Sequence, residues 1–356
     1  MKKNIKNLTI KDNDSISIAV KKLNLSGKKF LAVINKKSKY MGSLTDSDIR
    51  RNILNNFSAK SNVSKIFNIN GKFIFENNFS EKMLKKFFDK YSLVDAVPVL
   101  NKNKTINRVV FRKEIFANKT QNKFSCLILA GGLGQRLLPI TTNTPKPLIN
   151  FENVPYICKL IKKLMLNNVE KIFVSVYYKK RNLIGSIKKY FLKDIKNKRI
   201  VFISEKKPLG TAGSVKLIKQ SINKLLIINS DVIFNFKLDN LFDVHSNFKN
   251  YITVVCSQLE EKIPYGVLYN NKFKLNKIVE KPSFSYLINT GIYLTSSNIK
   301  RFIKTNTKIQ MTDLINLLLK NKKKVGLFPL NENIIDYGTH ENLKEAKKNF
   351  GKYFYE

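Results

Sequence analysis

The sequence predicts an α/β protein in two parts, a smaller α+β unit followed by a larger α/β domain. Three observations predict it. A polar, aperiodic seam at residues 117–124 divides the chain. Before the seam, one pattern of helix and strands occurs twice. After it, short apolar strands run into glycine turns and alternate with helical apolar faces. The length of 356 residues suits two domains at ~100–200 residues each. A hydrophobic share of 43% with 26% charged residues excludes a disordered chain, collagen and a coiled-coil rod.

The first part, residues 1–118, reads as two units of roughly 58 residues, at about 1–57 and 58–118. The first unit shows a helix at 15–25, a strand at 30–34, a turn at 35–39, a strand at 40–44 and a helix beginning at Thr45. The second repeats it more faintly, with a helix at 81–90, strands at 96–100 and 106–111, and a turn at 101–104. Across Gly42-Ser-Leu-Thr45-Asp46-Ser-Asp48-Ile-Arg50 the first unit resembles the CBS (cystathionine-β-synthase-type) motif. The resemblance implies that Thr45 and Asp48 hold the phosphate and ribose of an adenine nucleotide. A hydroxyl beside the free N–H groups of a helix start suits phosphate, and a carboxylate suits ribose hydroxyls. A plain helix cap explains the same two residues equally well. The second unit has Phe111-Arg-Lys-Glu114 instead, so the pair binds one ligand or none, or serves as a dimerising scaffold in a homo-oligomer.

Chemistry concentrates in residues 124–350. A buried strand at 126–130, ending in Ala130, runs into Gly131-Gly132-Leu-Gly134-Gln-Arg136. Glycines after a strand let several N–H groups close on phosphate oxygens. Lys146 follows between Pro145 and Pro147, which should hold it in an extended stretch. This pattern is neither a Walker A loop nor a G-x-G-x-x-G dinucleotide fingerprint. The helical spacing of Ile157, Leu160, Ile161 and Leu164 marks a core face without function. Further on stand Pro208-Leu-Gly210-Thr211-Ala212-Gly213 and an apolar strand, 225–229, ending in Ser230-Asp231. An acidic residue at that end of a strand faces the ligand crevice of open α/β sheets. Tyr265-Gly266, Glu280-Lys281-Pro282, Asn289-Thr290-Gly291 and Asp336-Tyr-Gly338-Thr339 complete the series.

In this order the motifs strongly resemble those of the sugar-1-phosphate nucleotidyltransferases, over about residues 125–345. The resemblance implies a Rossmann-like domain with a mixed central sheet. It makes Ala130, Gly131, Gly132, Gly134, Gly210, Thr211 and Ala212 nucleotide contacts, and Gly266, Glu280, Asn289 and Thr290 sugar contacts. It also makes Asp231 and Asp336 the ligands of Mg²⁺. The Trp usual before the last motif is absent, and His340 stands where Pro is usual. A CBS pair ahead of such a domain resembles the guanylyltransferases of bacterial legionaminic acid biosynthesis, which implies GTP and glucosamine 1-phosphate. Mannose-1-phosphate guanylyltransferases and uridylyl- or thymidylyltransferases are the neighbouring readings. A nucleotide-sensing protein with an inert transferase domain is the rival from another class.

The residue types suit that chemistry. Two polyanions must meet, and charge builds on a leaving pyrophosphate, so positioning and fixed positive charge dominate. Arg136 offers a planar fork, Lys146 and Lys281 offer point charges, and two aspartates suffice for Mg²⁺. Glu205 lies where thymidylyl- and uridylyl-transferring relatives typically carry Gln. A carboxylate only accepts, which matches the adjacent N1–H and N2–H donors of guanine. Each residue alone has a bland explanation: turn, cap or solvated surface. Their ordered combination carries the reading.

The formal net charge of +41 suggests a nucleic-acid binder, but only 8 of the 66 basic residues are Arg. The lysines are spread along the chain, as compositional bias on a solvated surface would place them. Three scattered cysteines fit a reducing cytoplasm, and no apolar run approaches the ~18–20 residues of a membrane span. The expected partners are therefore small anions, not nucleic acid or membrane.

Overall fold

The computed structural model describes residues 5–54, 58, 60–91, 94–115, 123–330 and 332–355. Most of the expected seam, residues 117–122, lies outside them. The chain divides into two compact units, Met1–Thr120 with Gln258–Tyr286, and Gln121–Ser257 with Leu287–Glu356.

The first unit opens with β1 (Thr9–Lys11), α1 (Ile16–Ser26), β2 (Phe30–Ile34), β3 (Tyr40–Thr45) and α2 (Asp46–Leu54). It continues with β4 (Ile74–Phe75), α3 (Glu81–Lys90), β5 (Ala96–Leu100), β6 (Ile106–Phe111) and α4 (Arg112–Ile115). Ser15 and Ser80 cap α1 and α3, each accepting from the backbone N–H three residues on. The sheets β1–β2–β3 and β4–β5–β6 share one topology, a parallel pair followed by an antiparallel pair. Phe30 faces Thr45, and Ala96 faces Phe111. Equivalent positions are thus 66 residues apart rather than 58. The connection after α2, which carries a 3₁₀ turn at Val63–Lys65, belongs to the repeat and has no apolar periodicity to announce it.

The second unit begins with β7 (Phe124–Leu129), the short β8 (Asn150–Phe151) and β9 (Val154–Pro155), α5 (Tyr156–Leu166), β10 (Val169–Val176) and α6 (Lys180–Lys196). There follow β11 (Ile200–Ser204), α7 (Gly210–Gly213), β12 (Leu225–Asn229), β13 (Val232–Phe234), α8 (Leu238–Asn247) and β14 (Ile252–Lys262). A hairpin, β15 (Val267–Asn271) with β16 (Lys274–Val279), lies in the segment grouped with the first unit. The chain returns along β17 (Ser283–Thr295), α9 (Met311–Lys320), β18 (Val325–Pro329), β19 (Ile334–Asp336), α10 (His340–Lys348) and α11 (Phe350–Phe354).

Seven strands form the central sheet in the order β11-β10-β7-β12-β17-β14-β18. Strands β11, β10, β7 and β12 are parallel, and β17 runs antiparallel to β12, so the sheet is mixed and the domain Rossmann-like as expected. Successive side chains point to opposite faces: Cys126 and Ile128 join a core covered by α5, α6, α8, α10 and α11, while Leu127 joins one covered by α9. Burial on both faces explains why the strands read as unbroken apolar runs. The chain passes from β7 to β10 and β11 on one side, then crosses back to β12 on the other. Ligands bind α/β sheets at such a reversal, outside the carboxyl ends of the strands. Among the described residues no helix is long and apolar enough to cross a membrane.

Lys163 ties three elements of the helical face together. From α5 its ammonium donates to the carbonyls of Phe234 at 2.5 Å and Phe354 at 2.7 Å. Burial pulls its pKa down from 10.5 to about 8. Below pH 8 both folded and unfolded chains carry this proton, and the folded state bears the full cost of a buried charge. Between 8 and 10.5 only the unfolded chain holds it, so folding stability rises with pH through that window. The gain should be roughly 3 kcal/mol in denaturant melts, and it should vanish in Lys163→Met. An unchanged pH slope in the variant would contradict this account.

Candidate active site

The carboxyl ends of β7, β10, β11 and β12 open into a cleft of about 640 Å³ in the second unit. Parallel register puts the ends level: Leu129 lies between Ser175 and Asn229, and Val176 beside Ser204. Hydrogen bonds carry the alignment past the strands, from Ala130 N–H to Ser175 O at 3.1 Å and from Ser230 N–H to Leu129 O at 3.2 Å. Gly131, Gly132, Gly134, Arg136, Lys146, Glu205, Gly210, Thr211 and Asp231 all line the cleft. Ala130 and Ala212 are buried beside it and do not line it. Gly134 adopts φ 71°, and Thr141 Oγ1 donates to its carbonyl at 2.8 Å, fixing the turn that presents Arg136. Lys146 is not in the expected extended stretch. It opens a single 3₁₀ turn, Lys146–Leu148, closed by Leu148 N–H to Pro145 O at 2.8 Å. Pro147 fits because a first-turn residue has no intrahelical N–H bond to lose.

Asp231 and Asp336 meet through β13 and β19, which pair antiparallel with Val232 opposite Asp336. Tyr156 and Tyr337, both fully buried, clamp the strand that follows Asp231. Tyr156 OH donates to Val232 O, Tyr337 OH donates to Ser230 O at 3.1 Å, and Tyr337 N–H donates to Asp231 O at 3.2 Å. Lys146 Nζ pairs with Asp231 Oδ2 and lies 3.6 Å from Asp336 Oδ1. A Cβ placed on Gly338 would stand 2.8 Å from Asp336 Oδ1, 2.8 Å from Lys146 Nζ and 3.0 Å from the Arg136 guanidinium. Two cations and a carboxylate therefore crowd one glycine, and a side chain there would displace their charged ends. Burial, followed by the charge of Asp231, pushes the Asp336 carboxyl above its ordinary pKa, against the pull of Lys146. Asp231 Oδ1 is buried and has no hydrogen-bond donor among the described residues.

Glu205 is 8% exposed at the cleft wall. Its Oε1 accepts from Ser175 Oγ, and its Oε2 accepts from Leu209 N–H at 2.9 Å. Thr211 donates from N and Oγ1 to Gln310 Oε1, at 3.2 and 3.1 Å, and its Oγ1 accepts from Met311 N–H at 2.7 Å. Gln310 and Lys308, both lining the cleft, were not singled out from the sequence. The capping pair Gln310 and Asp313 was the available signal for the first; an isolated lysine in this lysine-rich chain gives none.

The expected sugar residues fall in two places. Gly266, Glu280 and Lys281 lie in the segment grouped with the first unit, where Lys281 N–H donates to Tyr265 O at 3.2 Å. Asn289 and Thr290 lie in the second unit and spend their side chains internally, on Tyr293 OH at 2.6 Å and Val255 O at 2.8 Å. In the first unit, Asp48 Oδ2 accepts from Thr45 N at 2.9 Å and Oγ1 at 2.7 Å, while Thr45 Oγ1 accepts from Asp48 N at 3.2 Å. That is a reciprocal helix cap. Glu114 repeats half of it, accepting from Phe111 N–H at 3.2 Å.

A profile of the nucleotidyl transferase family matches residues 125–352. The chain belongs to that family. It is similar to a mannose-1-phosphate guanyltransferase of Yarrowia lipolytica, 36% identical over 181 residues that make up 49% of each chain. A mannose-1-phosphate guanyltransferase of Aspergillus fumigatus is 34% identical over 187 residues, 50% of this chain and 51% of that protein. The chain spans about half the length of these curated relatives. Among solved structures, HddC from Yersinia pseudotuberculosis complexed with GMP-PN is 26% identical, covering 64% of this chain and 99% of that one at a TM-score of 0.48.

Proposed function

We propose that this chain transfers guanylate from GTP to a sugar 1-phosphate, releasing pyrophosphate. The observation that carries the proposal is the convergence of Arg136, Lys146, Asp231 and Asp336 around Gly338, in a cleft walled by a glycine loop. In the reaction a sugar-phosphate oxygen attacks the α-phosphorus, the Pα–O bond to the β-phosphate breaks, and the electron pair leaves on pyrophosphate. The nucleophile is already ionised, so the site holds and neutralises rather than removing a proton. Backbone N–H groups of Gly131–Gly134 would cradle the triphosphate, Arg136 would fork the leaving phosphates, and Lys146 would bridge the α-phosphate. Asn289 and Thr290 are proposed for the sugar phosphate. The donor set at Asp231 and Asp336 fits Mg²⁺: two hard carboxylates, one with a buried oxygen that lacks a donor among the described residues. Bound there, the ion would add positive charge against the triphosphate. The two-part arrangement favours glucosamine 1-phosphate as acceptor, and the curated relatives favour mannose 1-phosphate.

Guanine is proposed because Glu205 presents carboxylate oxygens at the cleft wall. Each oxygen has a second lone pair beyond those given to Ser175 and Leu209. Residues 1–118 are proposed to be a CBS pair preceding a catalytic domain over 124–350. The matched topology of its two sheets supports the pair. An adenine nucleotide at Thr45 and Asp48 would have to open the reciprocal cap.

Three experiments follow from these assignments. Asp231→Ala and Asp336→Ala should each lower kcat by about 100-fold or more, the scale of losing one element of a preorganised site, with the fold retained by circular dichroism. Near-normal turnover at low Mg²⁺ would remove the metal role. Wild-type enzyme should prefer GTP over UTP and dTTP, and Glu205→Gln should erode that preference, as unpaired buried polar groups reject an analogue. Unchanged selectivity in the variant would show that Glu205 does not read the base. AMP titrated calorimetrically into the whole chain should give heat that Asp48→Ala abolishes. No heat at millimolar AMP would leave the first unit a scaffold.

A further inference from the structure

Arg136 stands in the middle of a single 3₁₀ turn, Gln135–Leu137, between Gly134 and Leu138. Its guanidinium makes no hydrogen bond or ion pair with another described residue, so its aim depends on the backbone that carries it. The two ends of that turn are held differently. At the first, Gly134 O accepts from Leu137 N–H at 3.0 Å and from Thr141 Oγ1 at 2.8 Å, both within the loop. At the second, Leu138 O accepts from His340 Nε2 at 2.8 Å, across 202 residues of sequence. A carbonyl only accepts, so Nε2 carries the proton and Nδ1 is the bare nitrogen of the neutral ring. Further along, Lys179 Nζ donates to Thr142 O, which keeps the segment folded independently of His340.

His340 is the first residue of α10, and the start of that helix also holds Asp336. Thr339 Oγ1 accepts from Asn342 N–H at 3.2 Å, and Asn342 Nδ2 donates to Asp336 O at 2.8 Å. One helix start therefore fixes both the carboxylate and the far end of the turn that carries the arginine. We infer, on the basis of the transfer proposed above, that His340 is a positioning residue, whose Nε2–H on Leu138 O aims Arg136 at the leaving phosphates. A guanidinium forks two phosphate oxygens only from a narrow range of directions, so a loosened turn forfeits that paired contact. Lys146 is a point charge on a separate turn and keeps its own contacts. The position also permits a mild variant. A first-turn N–H has no intrahelical acceptor, and Thr339 already has the extended backbone, φ −119° and ψ 161°, that a following proline requires. His340→Pro thus removes the ring donor and leaves the helix start intact, while His340→Gln keeps an N–H at similar reach.

The test reads inorganic pyrophosphate with Mg²⁺, titrated calorimetrically into the whole chain, beside the kinetics of pyrophosphate release from GTP with mannose or glucosamine 1-phosphate. His340→Ala and His340→Pro should each weaken pyrophosphate binding and lower kcat about fivefold, the scale of one exposed hydrogen bond. KM for the sugar phosphate and the melting temperature should not move, which separates the role from general loosening of the fold. His340→Gln should restore most of both losses. In an Arg136→Ala background, His340→Ala should add no further loss, because the ring acts through the arginine. Wild-type values in both His340→Ala and His340→Pro, a loss that Gln does not rescue, or a full loss added to that of Arg136→Ala would overturn the inference. So would a wild-type chain that binds no pyrophosphate. A wild-type chain that binds pyrophosphate but releases none from any substrate pair defeats the transfer reading instead, and the affinities of the variants then decide the role of His340.

Discussion

Two three-residue strands, β13 and β19, pair with Val232 opposite Asp336, and this short ladder brings together aspartates that lie far apart in the chain. Three backbone pairs would not hold alone in water. The tyrosines on either side make the register firm. Tyr156 enters from the first turn of α5, and Tyr337 comes from β19's own exit. Their rings meet edge to face at 5.3 Å and their hydroxyls take the carbonyls on both sides of Asp231. A buried carbonyl without its donor costs about 1–3 kcal/mol, so a one-residue slip would be penalised at several groups at once. The rest of the site is arranged around that fixed point.

Charge in the cleft is balanced in a way that favours an anionic guest with its cation. Lys146 sits between the two carboxylates, Arg136 faces Asp336 across Gly338, and Asp336 is held above its ordinary pKa by burial and by Asp231. Such a cluster is close to neutral yet uncomfortable, with one carboxylate oxygen lacking a donor among the described residues. A divalent cation with a polyphosphate would relieve the carboxylate repulsion and release the lysine toward phosphate. Glycine at 338 leaves room for this proximity, since a side chain there would push the charged ends of Asp336, Lys146 and Arg136 aside.

Much of this was legible in the sequence. Strands at 30–34, 96–100, 106–111 and 225–229 and the helix at 81–90 fall where apolar pattern and turn residues put them. The glycine loop and the strand-terminal Asp231 line the cleft because both lie at carboxyl ends of parallel strands, which is a topological rule and not a local one. Local pattern failed where tertiary contacts decide. The proline-flanked Lys146 curls into a turn because Pro145 supplies the carbonyl that closes it. Gln310 meets Thr211 from 99 residues further along the chain, and the supporting tyrosines read only as core residues. Thr45 and Asp48 satisfy each other, a pairing that capping chemistry and ligand chemistry spell with the same residues. The repeat is longer than the sequence pattern suggests because the irregular connector after α2 carries no period.

The most direct measurement is pyrophosphate release from purified chain, with GTP, UTP, dTTP, CTP and ATP each set against glucosamine, mannose and glucose 1-phosphates in the presence of Mg²⁺. The account predicts release that requires both substrates, is strongest with GTP, and is abolished by chelating the metal. No release with any pair would contradict it and leave the cleft a nucleotide-binding site without transfer.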